Sequence, residues 1–288
     1  MNKQKSFSTQ EYGKLYLVPT PIGNLEDITF RAVRLLKEVD LIASEDTRNT
    51  QKLLNHFEIK TKQISLHEHN SHERIPSLIE TLKSGQDIAQ VSDAGMPSIS
   101  DPGHDLVLAC IQQHISVVSI PGATAGMTAL IASGLSPQPF YFYGFLPRKK
   151  KEQLETLQEL NKISGTIIFY ESPYRVLKTI ENIGTAFTTE TNIVLCRELT
   201  KLHEEYIRGS VEEVVAYLSE NTIKGECCLL VENIQATSQE EGFDSDLSII
   251  EHVNLVVDQE EISVKDAIKE VAKIRGLKKQ EVYKEYHG

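Results

Sequence analysis

The chain has 288 residues, 40% of them hydrophobic and 25% charged. That composition fits a globular protein with a sizeable core and about two domains. The net charge of −11 argues against a passive nucleic-acid binder coated in cations, while leaving room for a local basic patch. No run approaches the ~20 apolar residues of a membrane helix, and the polar Met1–Gln10 stretch lacks the apolar region of a secretory signal. Four cysteines, Cys110, Cys196, Cys227 and Cys228, show no CxxC spacing and read as reduced core thiols of a cytoplasmic protein.

From Lys14 to about Gln138, short apolar runs alternate with helical patterns. Strands are predicted at Leu15–Val18, Leu41–Ala43, Ile64–Leu66, Asp87–Val91 and Ser116–Ile120. Between them come helices at Thr29–Glu38 (apolar face Phe30, Val33, Leu36, Val39), Asn49–Phe57, Ile75–Leu82 and His104–Gln113, and a small-residue helix, Thr124–Ala132, closes the unit. Such alternation predicts a largely parallel sheet covered by helices. The two prolines of Leu135–Pro139 mark a linker.

A second α/β unit follows, with strands at Phe140–Gly144, Thr166–Tyr170, Asn192–Glu198, Glu205–Arg208 and Glu226–Glu232 and helices at Lys151–Leu160, Tyr174–Ile183 and Val211–Leu218. A hairpin around Leu199–His203 implies a mixed sheet. The acidic Ala236–Asp246 segment reads as a flexible linker. Beyond it, Ser263 caps a helix with Val264, Ala267, Ile268, Val271 and Ala272 on one face, Gly276 stops it, and Leu277–Tyr286 forms a second helix. The expected domains are therefore 13–135, 139–235 and a small helical module at 247–288, with 236–246 as the linker.

Parallel sheets bind ligands beyond the carboxyl ends of their strands. All five predicted loops on that rim are rich in polar, Gly and Pro residues: Pro19–Asn24, Ser44–Arg48, His67–Asn70, Ser92–Gly103 and Pro121–Ala125. A single such loop is ordinary turn chemistry; five together point to a ligand rim. No GxGxxG follows the first strand and no GxxxxGK[ST] occurs, so nicotinamide and P-loop readings are weak. Small residues at Ala94, Gly95, Gly122 and Ala123 would allow close main-chain approach to a nucleoside.

The ordered segments PTPIGNLEDIT, SEDTR, HEHN, SDAGMPSISDPG, PGATA, GFLPRK, YESPYR and CRELTKLHEE resemble the tetrapyrrole-methylase superfamily. More narrowly, the chain resembles the bacterial 16S ribosomal RNA (cytidine-2′-O)-methyltransferase family. The match runs from about Lys14 to Asn233, and the terminal helix pair resembles that family's helix-turn-helix tail. The resemblance implies a two-domain α/β fold with S-adenosylmethionine as methyl donor in the cleft between the domains, no metal, and a homodimer. Carried over by position, Ile22, Asp93, Ala94, Gly95, Met96, Thr124 and Ala125 are expected to line the donor pocket.

Methyl transfer to a ribose hydroxyl is an in-line displacement, helped by orientation and by a group that accepts the hydroxyl proton. Candidates for that chemistry are Asp46 with Arg48, His67, His69 and Glu171. Asp46 and Arg48 could equally form an ion pair that shapes the loop, the histidines could contact RNA or simply be solvated, and Glu171 could cap the following helix. The run Arg148, Lys149, Lys150, Lys151 opposes the helix dipole and suits phosphate contact, or else is a solvated helix start. Seven Lys or Arg against three acids from Lys265 to Lys284 make a second expected RNA surface, and Tyr170 and Tyr174 could stack on a base or pack in the core. Two other functions stay open on the residues: methylation of a tetrapyrrole or other small molecule, and non-catalytic RNA binding.

Overall fold

A computed structural model describes residues 3–6, 11–99, 103–233, 247–260, 262–275 and 277–287. Most of Met1–Gln10, the expected 236–246 linker, Gly276, and Ser100, Asp101 and Pro102 of the long fourth loop lie outside them. By its contacts the chain divides into two units, Met1–Asn233 and Ile234–Gly288.

The first unit contains two five-stranded sheets. Leu15–Leu17 (β1), Leu41–Ser44 (β2), Gln63–Ser65 (β3), Ile88–Val91 (β4) and Val117–Ser119 (β5) form a parallel sheet in the order β3-β2-β4-β1-β5. Strand side chains alternate between faces. Ile42, Ala89 and Val91 pack under helices Phe30–Glu38 (α1) and Thr47–His56 (α2), whereas Ala43 and Ile88 face helices Ser71–Lys83 (α3) and His104–Gln112 (α4). The expected parallel sheet with helices on both sides is what forms.

One expected face is shifted. Spacing groups Phe30 with the apolar stripe of α1, yet it is 98% exposed, and the buried residues are Ala32, Leu35 and Leu36, continued by Val39. At 100° per residue Phe30 stands on the far side of the helix from Ala32. Thr29 fixes that start, its Oγ1 accepting from Ala32 N at 3.0 Å. Helix α3 begins earlier than expected, at Ser71, and holds Pro76 within it.

Phe140–Phe145 (β6), Gly165–Glu171 (β7), Asn192–Arg197 (β8), Glu205–Ser210 (β9) and Cys227–Asn233 (β10) make the second sheet, ordered β6-β7-β10-β8-β9. Only β6 and β7 pair in parallel, so the sheet is mixed as the hairpin implied. One face, with Ile167, Phe169 and Leu229, packs on helices Lys150–Leu160 (α6), Val176–Ala186 (α7) and Val211–Glu220 (α8). The other face, with Ile168, Val194, Cys196, Cys228 and Leu230, receives Ala125–Ser133 (α5) and Ile22. Side chains of the second half pin both ends of α5: the Tyr170 hydroxyl accepts from Gly126 N at 3.1 Å, and Arg208 donates to the carbonyls of Ala132 and Ser133 at 2.7 and 2.9 Å.

All four cysteines are buried and free. Burial pushes the Cys110, Cys196 and Cys227 thiols up to about 12 and raises Cys228 as well.

Among the described residues the second unit holds three helices, Ile249–Glu260 (α9), Val264–Ile274 (α10) and Lys279–His287 (α11). The sequence led us to expect only the last two. Ser263 caps α10 as expected, and Ala267, Ile268, Val271 and Ala272 are buried against Val253 and Val256 of α9. Lys265, Lys269 and Lys273 lie on the exposed side of α10.

Candidate active site

In the first sheet β1 and β4 are neighbours whose connections leave in opposite directions, β1 towards β2 and β4 towards β5. Such a reversal opens a crevice at the carboxyl ends of the two strands. Here the loops are joined by main-chain bonds of 3.0 Å in each direction between Thr20 and Gly95. Gly95 has φ of +79°, and a Cβ on it would stand 3.3 Å from Ile22 Cγ2 and 3.5 Å from the Ala123 carbonyl oxygen. Gly122 presses on Pro19, where a Cβ would come within 2.5 Å of the proline Cβ. The loops after β1, β4 and β5 thus meet main chain to main chain, which only small residues permit.

Ile22 is buried among Ala123, Ala125 and Met127 and residues of the second sheet. Met96, Thr124 and Ala125 are half-buried and Ala94 is exposed. Thr124 precedes α5, and its side chain makes no capping bond to the helix.

Asp93 turns its carboxylate towards the loop after β2. Its Oδ1 accepts from Asp46 N at 3.2 Å and its Oδ2 from Asn49 Nδ2 at 3.1 Å, while Asp93 N donates to Glu45 Oε2 at 3.1 Å. Asp46 caps α2 through Arg48 N (2.8 Å) and grips the Arg48 guanidinium at 3.1 and 2.7 Å. Hydrogen bonds from the Arg48 side chain hold its carboxyl down at about 2. A carboxylate so acidic accepts protons poorly, since an effective base has a pKa near the working pH. The ion-pair reading of Asp46 and Arg48 therefore describes them better than the catalytic one.

Glu171 also departs from the expected catalytic role. Its side chain is 2% exposed and is engaged by Ser172 N and Thr179 Oγ1, both at 2.8 Å, and by Arg175 at 3.5 Å. Buried behind the sheet among α7 residues, it secures the turn into that helix and is not presented to a substrate. Tyr174 beside it is 94% exposed, whereas the Tyr170 hydroxyl serves α5. His67 and His69 follow β3, three strands from β1 and so roughly 14 Å away at ~4.8 Å per strand. Their rings lie 6.0 Å apart edge to face. Arg148, Lys149, Lys150 and Lys151 are all exposed at the start of α6. Lys149 pairs with Glu152 and Lys151 with Glu155, while Arg148 and Lys150 form no ion pair among the described residues.

Two features escape the sequence. The turn between β8 and β9 leans on the β1 loop: a Cβ on Gly23 would meet Lys201 Cγ at 2.5 Å, and Lys201 Nζ is held by Glu198 and Glu226, both at 2.9 Å. Glu198 and Thr200 in that turn have φ of 52° and 68°, a strained setting for a β-branched residue such as Thr200. Beside the same loop lies a cleft of about 220 Å³ walled by α2 residues including Asn49, Thr50 and Lys52. Those positions read in sequence only as helix surface.

The family model for tetrapyrrole (corrin/porphyrin) methylases matches residues 14–215. Over 288 residues the chain is 54% identical to a ribosomal RNA small subunit methyltransferase I of Streptococcus pyogenes serotype M1, covering 100% of this chain and 99% of the relative. The chain belongs to the ribosomal RNA small subunit methyltransferase I branch of the tetrapyrrole methylases. A branch member of Bacillus subtilis (strain 168) is 49% identical over 290 residues, with the same coverage. Among solved structures, a Thermus thermophilus uroporphyrin-III C-methyltransferase complexed with S-adenosylhomocysteine superposes with a TM-score of 0.55. It shares 17% identity and covers 76% of this chain and 97% of that one. The fold of this branch explains the missing GxGxxG: the β1 loop meets the β4 and β5 loops through Gly95 and Gly122 instead.

Proposed function

We propose that this protein transfers a methyl group from S-adenosylmethionine to the 2′-hydroxyl of a cytidine in small-subunit ribosomal RNA. The observation that carries this reading is the full-length, 54% identity to a relative named for small-subunit ribosomal RNA methylation. That length of match disfavours both a tetrapyrrole substrate and a purely RNA-binding protein.

The main-chain cradle around Gly95 fits the donor. It is bordered by Ile22 and the Ala123 carbonyl, and the Gly95 φ of +79° disfavours a side chain there. Ile22, Asp93, Ala94, Gly95, Met96, Thr124 and Ala125 would hold the donor, Asp93 with its carboxylate already engaged by the loop after β2, and the S-adenosylhomocysteine bound to the Thermus neighbour supports the same ligand class. When bound, S-adenosylmethionine supplies a methyl group already activated on a sulfonium. The protein's work is then placement: the joined loops fix one reactant and exclude water, and holding the acceptor oxygen in line contributes several kcal/mol. Arg148, Lys149, Lys150 and Lys151, exposed at the start of α6, would supply phosphate contacts, and the α10 lysines offer a second set.

Free, buried thiols support a cytoplasmic setting. The family resemblance supports a homodimer, for which the edge strand β6, with Phe140, Tyr141 and Phe145 exposed, offers an apolar surface. Light scattering that returned a single chain mass of 32.4 kDa would count against it.

The function is tested by incubating the protein with tritiated S-adenosylmethionine and small subunits from a strain lacking the gene. Labelled sites are then mapped by resistance to alkaline cleavage. Label at one cytidine ribose supports the reading; donor binding without RNA label overturns it.

A further inference from the structure

In the second sheet β6 and β7 run parallel, so their carboxyl ends leave it side by side. From β6 the chain passes through Leu146 and Pro147 to Arg148; from β7 it turns through Ser172 and Tyr174 to Arg175. Arg175 joins the two turns. Its Nη2 donates to the Pro147 carbonyl at 3.1 Å and to the Leu146 carbonyl at 3.5 Å. Gln153, buried in α6, donates to the same Pro147 carbonyl at 3.3 Å. The joined residues are the chain neighbours of Arg148 on one turn and of Tyr174 on the other.

What those turns present outwards has no use inside the fold. Tyr174 is 94% exposed, and only its main-chain N–H is engaged among the described residues, by Ser172 Oγ at 3.4 Å. An open tyrosine ring forgoes the burial that aromatic side chains gain from packing, and a stacked base would supply it. Arg148 and Lys150 are exposed and form no ion pair among the described residues, whereas Lys149 and Lys151 are taken by Glu152 and Glu155. In a chain of net charge −11, uncommitted cations beside an open ring match a single-stranded nucleic acid, its phosphates facing the cations and a base facing the ring. The location fits as well. The Tyr170 hydroxyl accepts from Gly126 N, one residue past Ala125 of the donor loop. Tyr174 follows four residues later, at most about 14 Å of chain.

We infer that the two turns form a docking platform for a single-stranded stretch of the substrate RNA. Tyr174 stacks on a base that neighbours the reacting nucleotide, and Arg148 and Lys150 hold the phosphates beside it. Arg175 is the positioning residue that keeps ring and cations together. The inference rests on the reading of this protein as an RNA methyltransferase, and it gives Tyr174 no part in the methyl transfer itself. Every base has a face to stack, so the platform contributes affinity and not sequence choice.

The test is fluorescence anisotropy of a labelled oligocytidylate of about ten nucleotides, the scale of a single-strand site, with the full-length protein. Melting temperature, light scattering and S-adenosylhomocysteine affinity are the controls. Tyr174→Ala should weaken the RNA about tenfold, within what one stacked base contributes, without changing the salt slope. Tyr174→Phe should bind within about twofold of wild type. Arg148→Gln and Lys150→Gln should each flatten the slope by about 0.7, the share of one phosphate on a single strand. Arg175→Lys keeps the charge and loses the fork; it should weaken RNA about fivefold in wild type and clearly less in Tyr174→Ala, as residues serving one contact do. All variants should bind S-adenosylhomocysteine within about twofold of wild type. Full RNA affinity in Tyr174→Ala, a loss that Phe does not rescue, or an Arg175→Lys loss that adds in full overturns the inference. So does a changed mass of Tyr174→Ala, which would assign the ring to a contact between copies of the chain. If the oligonucleotide behaves as expected but small subunits take no label, the proposed function falls and the RNA surface stands. If the subunits are labelled and Tyr174→Ala leaves their KM unchanged, the platform falls and the function stands.

Discussion

Gly95→Ala puts a methyl group into the cradle. At φ of +79° an L-residue pays about 1–2 kcal/mol in backbone strain. The new Cβ, 3.3 Å from Ile22 Cγ2 and 3.5 Å from the Ala123 oxygen, would also occupy space assigned to the donor. In a unit of this size such strain lowers Tm by about 2–8 °C. Strain alone leaves the donor untouched, so a matched control is needed, and Gly134→Ala supplies it. Gly134 has φ of +87° with nothing within 4 Å of an added Cβ, and it ends α5 roughly 13 Å from Ala125 at 1.5 Å per residue. Both variants should melt earlier by similar amounts. Only Gly95→Ala should weaken S-adenosylhomocysteine in calorimetry, by roughly tenfold, the equivalent of about 1.4 kcal/mol. Equal affinities in the two variants would refute the placement of the donor at this glycine.

Asp46→Asn keeps a good helix cap and removes only the charge, so turnover should change less than about threefold. A hundredfold loss would restore Asp46 as a general base. Because its folded pKa is lowered to about 2 from 3.8, its stabilising effect is complete above pH ~4 and fades as pH falls towards 2. A neutral-range acid limb in the rate profile therefore belongs to another group. Glu171→Gln should cost about 1–3 kcal/mol in urea unfolding and leave the KM for RNA unchanged at low temperature; an altered KM would return Glu171 to the site. Replacing Lys149, Lys150 and Lys151 by Glu should raise the RNA KM and flatten its salt dependence by about 0.7–0.9 for each phosphate no longer neutralised, and an unaltered slope would dismiss a phosphate-binding role for them. With thiols at about 12, a thiol reagent at pH 8 should stay unreacted until denaturant is added.

Period and punctuation made most of the architecture readable in advance. The alternation of Ile88, Ala89 and Val91 across β4, and the Ser263 cap with its apolar face, needed only local rules. Phe30 misled because spacing alone fits more than one stripe, and the choice between stripes is made by the sheet beneath. Helix α9 escaped because its apolar residues are not confined to one clean face, and its partners lie in the helix that follows. Among site residues, the small ones were legible since close main-chain approach restricts side-chain size. Glu171 was not: whether it faces solvent or Thr179 depends on how α7 docks. Thr50 and Lys52 were invisible for the same reason, since a helix surface becomes a cleft wall only once the β1 loop lies opposite it.

Helix α5 belongs by chain to the first half and by packing to the second. It follows β5 directly, covers one face of the second sheet together with Ile22, and has both ends fastened there by Tyr170 and Arg208. The proline-marked segment after it therefore separates two sheets without separating two foldable pieces. A gene cut there would yield one fragment with an orphan helix and another with an open hydrophobic sheet, each dependent on the other for solubility. Grafting the second half onto a different partner would have to carry α5 along, so the exchangeable module begins at α5 and not at the proline-marked linker.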